Sequence, residues 1–178
     1  MFKPILYSDC DGVLYDTIDT SFEIMRQNGV DMSNHDEIDR FFRHYLDWSE
    51  VFQKAGVIND AIEKLKILKY EKIFSDIIIL TRLSGNIGEE KVKREIFSFN
   101  LPEIKVITLD FGLSKAEVVD AENNILVDDE LKNTIPWQKA NGGAILFKKN
   151  NCDFDNNIIS DLLDIPKTKC LQKILKYK

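Results

Sequence analysis

Cysteine, histidine, proline and glycine are all scarce in this chain of 178 residues, which holds 3, 2, 4 and 8 of them respectively. The cysteines stand at positions 10, 152 and 170 and form neither a paired framework nor a C-x-x-C zinc spacing, which fits a reducing compartment. So few glycines and prolines exclude collagen-like and low-complexity chains. Charges interrupt every candidate membrane span, and the opening MFKPILYS lacks the apolar length of a signal peptide. A cytoplasmic protein with no membrane partner is expected. Basic residues are also outnumbered, 24 against 30 acidic, for a net charge of −6. Residues 1–76 carry 9 basic and 15 acidic groups and the remainder 15 of each, so the whole excess lies in the first part. That balance argues against an extended nucleic-acid face but is compatible with a local basic pocket or with an acidic cation site.

What is present is an ordinary globular composition, 44% hydrophobic and 30% charged, long enough for one domain with at most a small insertion. Short apolar runs predict strands over residues 4–8, 75–80, 104–108, 124–127 and 143–147. Amphipathic stretches over 88–99, 114–120 and 131–140 predict helices between the later ones. Strands alternating with helices at this spacing indicate an α/β fold with a parallel sheet buried on both faces.

The interval between the first two strands has helical patterns only, over 20–27, 36–48 and 60–70, with stops at Asn28-Gly29 and an N-cap at Asn59. It reads as an inserted helical unit, residues 17–73, in a core made of 1–16 and 74–178. The pattern over 36–48 carries Phe41, Phe42, Tyr45 and Trp48, making one side largely aromatic. From residue 150 onward a loop and two short helices separated near Pro166 are expected against an edge of the sheet.

The chemistry-bearing residues sit at strand ends. The first apolar run ends in Asp9-Cys10-Asp11-Gly12, and in an open α/β sheet the carboxyl ends of the strands line the functional crevice. Asp9 and Asp11 share a side and repel unless a cation or proton intervenes; alone, they read equally well as turn residues. A second apolar run ends in Asp128-Asp129. Four acidic groups converging at one sheet edge need a metal, and a carboxylate site without a His or Cys set selects Mg²⁺ over Zn²⁺. Residues 77–80 run into Thr81-Arg82, a hydroxyl and backbone N–H groups able to hold a phosphate oxygen; a plain strand-end hydroxyl is the alternative. Lys115 opens a helix, an unfavourable place for a cation that a link to the carboxylates would explain.

These residues in this order resemble the haloacid dehalogenase-like hydrolase superfamily, whose four motifs correspond to Asp9-Cys10-Asp11-Gly12, Thr81, Lys115 and Asp128-Asp129. The resemblance implies a Rossmann-like core with a small helical cap inserted after the first motif. It implies that Asp9 is a nucleophile attacking phosphorus and Asp11 the general acid/base, whose backbone carbonyl also reaches the metal. Thr81 and Lys115 would stabilise the phosphate, Asp128 would bind Mg²⁺, and Asp129 would assist directly or through water. Dehalogenases usually lack the second Asp, so Asp11 favours phosphoryl transfer. Lys132-Asn133, Trp137 and the run 142–147 are similar to the 5'(3')-deoxyribonucleotidase-like branch.

The expected activity is a Mg²⁺-dependent phosphomonoesterase acting on a small phosphorylated metabolite such as a nucleotide. Arg82, beside Thr81, reads either as a contact to an extra phosphate or as a surface salt bridge. Phe42, Tyr45 and Trp48 of the cap read either as a stacking platform for a nucleobase or as the cap's own core. A polynucleotide-end phosphatase and a noncatalytic binding protein on the same scaffold are the alternatives.

Overall fold

A computed structural model describes residues 2–150 and 155–176; Cys152 and the adjoining part of the expected loop lie outside the described residues. The five apolar runs form β1 (Ile5–Ser8), β2 (Asp76–Arg82), β3 (Lys105–Leu109), β4 (Ile125–Asp128) and β5 (Gly143–Phe147). A sixth strand, β6 (Ile158–Ile159), joins the edge of the sheet where only a loop was expected, and two residues are too short to leave a pattern. All pairings are parallel, in the order β3-β2-β1-β4-β5-β6. This is the Rossmann-like α/β arrangement.

The chain steps outward from β1 to β3, then returns to the other side of β1 and steps outward again. Tyr7 of β1 therefore pairs with Ile78 of β2 on one side and with Leu126 of β4 on the other. Such a reversal opens a crevice beyond the strands' carboxyl ends, where ligands bind in sheets of this kind.

Side chains alternate across the sheet. On one face Leu6, Ile77, Ile79, Val127, Ile145 and Phe147 form the larger core cluster, and on the other Tyr7, Ile78, Leu80, Leu126 and Ala144 pack with Trp137. The rings of Tyr7 and Trp137 meet edge to face at 5.2 Å.

Between β1 and β2 the described chain is helical: α1 (Thr17–Gln27), α2 (His35–His44), α3 (Trp48–Lys54) and α4 (Ala61–Glu71). Their buried residues Ile24, Val51, Phe52, Leu65 and Leu68 join the larger cluster. Three boundaries differ from expectation. The helix expected over 36–48 is two helices, because the Asp47 side chain accepts the Ser49 N–H at 2.8 Å and starts a new helix at Trp48. Asp60, rather than Asn59, precedes α4; the Asn59 amide donates instead to the carbonyls of Lys149 and Ser160. α1 begins at Thr17 rather than residue 20.

After β2 come α5 (Glu89–Asn100), α6 (Lys115–Val118), α7 (Leu131–Lys139) and α8 (Lys169–Lys176). The first of the two expected C-terminal helices is a 3₁₀ segment, Leu162–Lys167, which contains Pro166. Among the described residues no helix is long and apolar enough to cross a membrane.

Candidate active site

The hydrogen-bond ladder of β1 runs one residue past the strand, with the Asp9 N–H donating to the Val127 carbonyl at 2.9 Å. This seats Asp9 beside the end of β4, where Asp128 is wholly buried. One carboxylate oxygen each from Asp9, Asp128 and Asp129 lie within 4.8 Å of one another. Between Asp9 and Asp128 stands the buried ammonium of Lys115, 2.8 Å from the first and 2.7 Å from the second. The unfavourable helix-start position of Lys115 is thus explained by an ion pair on each side. Asp128 is held further by the Asn133 amide at 2.9 Å and the Glu130 N–H at 3.0 Å.

Burial pushes the Asp9 carboxyl well above the usual carboxylate range, against the opposing charge of Lys115. Asp129 is pushed up to about 7, by burial first and then by the charges of Asp128 and Glu130. Burial alone would lower Lys115, but Asp9 and Asp128 outweigh it and hold the ammonium charged. Cys10 between the two first-motif carboxylates turns into the core, and burial raises its thiol well above its ordinary value, so it stays protonated.

Asp11 belongs to a second cluster. Its Oδ1 accepts from the Thr17 hydroxyl at 2.7 Å, and its Oδ2 from the Lys93 ammonium at 2.6 Å and the Thr81 hydroxyl at 3.2 Å. Burial opposes ionisation of Asp11, but Lys93 and these hydrogen bonds prevail and lower its pKa. Lys93 is itself wholly buried and also meets Glu89 at 2.8 Å.

A cavity of about 250 Å³ opens over both clusters. Asp9, Asp11 and Asp129 line it with Arg82, Phe42, Trp48 and Phe111. Thr81 and Lys115 are buried behind these carboxylates and do not line it. Tyr45 is not brought to the cavity: it is 66% exposed, with its ring 6.0 Å from that of Phe41. The break before Asp47 is the reason, since Tyr45 caps the end of α2 and Trp48 begins α3. Arg82 makes no salt bridge among the described residues; its guanidinium donates to the Leu113 carbonyl at 3.1 Å and to Asn133 Oδ1 at 2.9 Å.

Lys93 and Glu89 escaped sequence reasoning, as did Thr17 and Phe111. The signal for the first two was their spacing: Glu89, Lys93 and Phe97 fall at i, i+4 and i+8, on the buried face of α5.

No family model matches the sequence, and no curated protein matches it. Solved structures do. A HAD hydrolase of family IA, variant 3, from Entamoeba histolytica is similar with a TM-score of 0.61 at 14% identity, over 98% of this chain and 100% of that one. A HAD-superfamily hydrolase from Ehrlichia chaffeensis gives 0.54 at 16%, over 99% and 98%. The D,D-heptose 1.7-bisphosphate phosphatase from B. bronchiseptica, solved with magnesium and phosphate, gives 0.54 at 12%, over 98% and 99%. The fold is that of the haloacid dehalogenase-like hydrolases.

Proposed function

We propose that the protein is a Mg²⁺-dependent phosphomonoesterase acting through an aspartyl-phosphate on Asp9. The observation that carries this reading is Lys115 clasped between Asp9 and Asp128 beside Asp129, at a cavity that Asp11 also lines. Three carboxylates form a hard oxygen donor set suited to Mg²⁺, and Asp9, Asp128 and Asp129 would hold it. When bound, the ion offsets the repulsion between an anionic nucleophile and an anionic phosphate.

Burial favours the protonated Asp9 carboxyl, and a cation held against it would favour the carboxylate, whose oxygen attacks phosphorus in the first step. The bond from phosphorus to the alcohol oxygen breaks, its electron pair stays on that oxygen, and Asp11 supplies the proton; Lys93 favours the ionised Asp11 in the free protein, and the anionic phosphate beside it would favour the protonated form in the complex. In the second step Asp11, now a carboxylate, takes a proton from water, whose oxygen attacks phosphorus. The bond from phosphorus to Asp9 breaks, giving inorganic phosphate and the original carboxylate. Lys115 keeps a positive charge beside Asp9 throughout, so positioning and charge stabilisation supply most of the rate.

The substrate is a small phosphorylated metabolite such as a ribo- or deoxyribonucleoside monophosphate. Support comes from the aromatic wall of Phe42, Trp48 and Phe111 beside Arg82 in a cavity of limited size. Phosphate release from a panel of nucleoside monophosphates and sugar phosphates tests this, with nucleotides expected to lead. Asp9→Asn is expected to abolish release; wild-type turnover in that variant would overturn the nucleophile assignment.

A further inference from the structure

Lys93 does not line the cavity, yet its ammonium is among the most heavily engaged groups in the protein. It lies 2.6 Å from Asp11 Oδ2, 2.8 Å from Glu89 Oε1, 3.0 Å from Thr81 Oγ1 and 3.2 Å from the Arg82 carbonyl. The Trp48 ring stands 4.9 Å from it. A buried lysine is a poor way to fill a core, since a Leu or Met at 93 would continue the stripe toward Phe97 without any charge to desolvate. Glu89, the partner that fixes Lys93 from its own helix, is in turn held by the N–H and hydroxyl of Ser84 at 2.7 and 2.6 Å. The network converges on one carboxyl group. Asp11 is gripped by donors from α1 (Thr17), β2 (Thr81) and α5 (Lys93), which engage both its oxygens.

We propose that Lys93 is a positioning residue: anchored by Glu89, it fixes the orientation of Asp11 so that the carboxyl meets the leaving-group oxygen of the substrate. The inference rests on the phosphomonoesterase reading. Proton transfer to that oxygen needs hydrogen-bond reach, and a misplacement of about 1 Å costs about 100-fold. An alkyl phosphate depends on that proton because its alkoxide leaves badly. p-Nitrophenyl phosphate does not, because its leaving group is stable as an anion.

The test compares kcat/KM, which reports on the first bond cleavage, for p-nitrophenyl phosphate and for the best alkyl phosphate of the panel. Lys93→Met is one variant. The second combines Glu89→Gln with Lys93→Met, which removes one buried charge of each sign and leaves the cluster's formal charge unchanged, so that it folds if charge imbalance is what unfolds the first. Expected is a fall of about 100-fold on the alkyl phosphate and of no more than about threefold on p-nitrophenyl phosphate. Equal falls on both substrates, or no fall on either, would overturn the role. Wild-type protein lacking Mg²⁺-dependent release from both substrates would instead overturn the phosphomonoesterase reading, and the role with it.

Discussion

A Cβ atom on Gly12 would overlap the Asp129 carboxylate. The turn that carries the chain away from Asp11 thus fits directly against a carboxylate at the carboxyl end of the neighbouring strand, β4. Gly12 also has φ of 74°, where an alanine costs about 1–2 kcal/mol. Gly12→Ala is expected to fold with reduced stability and to displace the Asp129 carboxylate. Mg²⁺ titration followed by calorimetry should show weaker binding than wild type, while circular dichroism shows the same helix content.

Removing Lys115 leaves Asp9 and Asp128 buried without their shared cation. Lys115→Met is therefore expected to lose about 3–5 kcal/mol of stability. Because a divalent ion binds only the folded state, added Mg²⁺ should recover part of that loss. Urea unfolding of both proteins with and without Mg²⁺ measures each term. Phosphate release is expected to fall by about 100-fold or more.

Trp48 is 4% exposed and its indole Nε1 is buried without a hydrogen-bond partner among the described residues. Trp48→Phe removes an unsatisfied donor along with some ring area, so its cost should stay near 1 kcal/mol, whereas Trp48→Ala should cost about 3–5 kcal/mol. Both variants are expected to raise KM for a nucleotide more than for p-nitrophenyl phosphate. Equal rises would assign the ring to packing alone.

Lys64 of α4 meets Asp161 at 2.7 Å, tying α4 to the segment after β6. Burial pushes the Asp161 carboxyl up, but the hydrogen bonds from Lys64 and from the Leu163 N–H outweigh it and lower the pKa below the ordinary 3.8. A depressed folded-state pKa stabilises the fold above the unfolded value, and the contribution disappears as pH falls through the folded one. The site is partly exposed, so Asp161→Asn should cost only about 0.2–1 kcal/mol at neutral pH. The difference between the two urea midpoints should narrow as pH drops below 3.8 and as salt is raised.

Strands β1, β2, β4 and β5 were legible because a strand buried on both faces must be apolar over most of its length, as 77–80 and 125–127 are, whereas β3, at the sheet edge and only partly buried, showed through the β-branched residues Val106, Ile107 and Thr108. Asp9, Asp128 and Asp129 were legible as neighbours because each ends or follows an apolar run, whereas the expected fourth member, Asp11, turns its carboxyl to Thr17, Thr81 and Lys93 instead. The two-residue β6 carries too little sequence to show. The aromatic spacing around Tyr45 suggested one helix, and the capping carboxylate of Asp47, visible in the sequence, was the stronger local signal. Lys93 was hidden because a lysine on a helix ordinarily reaches solvent; only its alignment with Glu89 and Phe97 distinguishes it.

The central place of β1 has a consequence for how the chain is made. Asp9 is synthesised well before the groups that complete its surroundings, the Val127 carbonyl, Lys115 and Asp128, which lie more than a hundred residues further along the sequence. Pairing across such a separation is entropically late, so β1 must await β4. A nascent chain emerging from the ribosome can dock β2 on β1 well before residue 128 appears, but it has no assembled reactive centre until then. Chains whose synthesis stops short of β4 are expected to be catalytically silent, however many of the helices between β1 and β2 they have already folded.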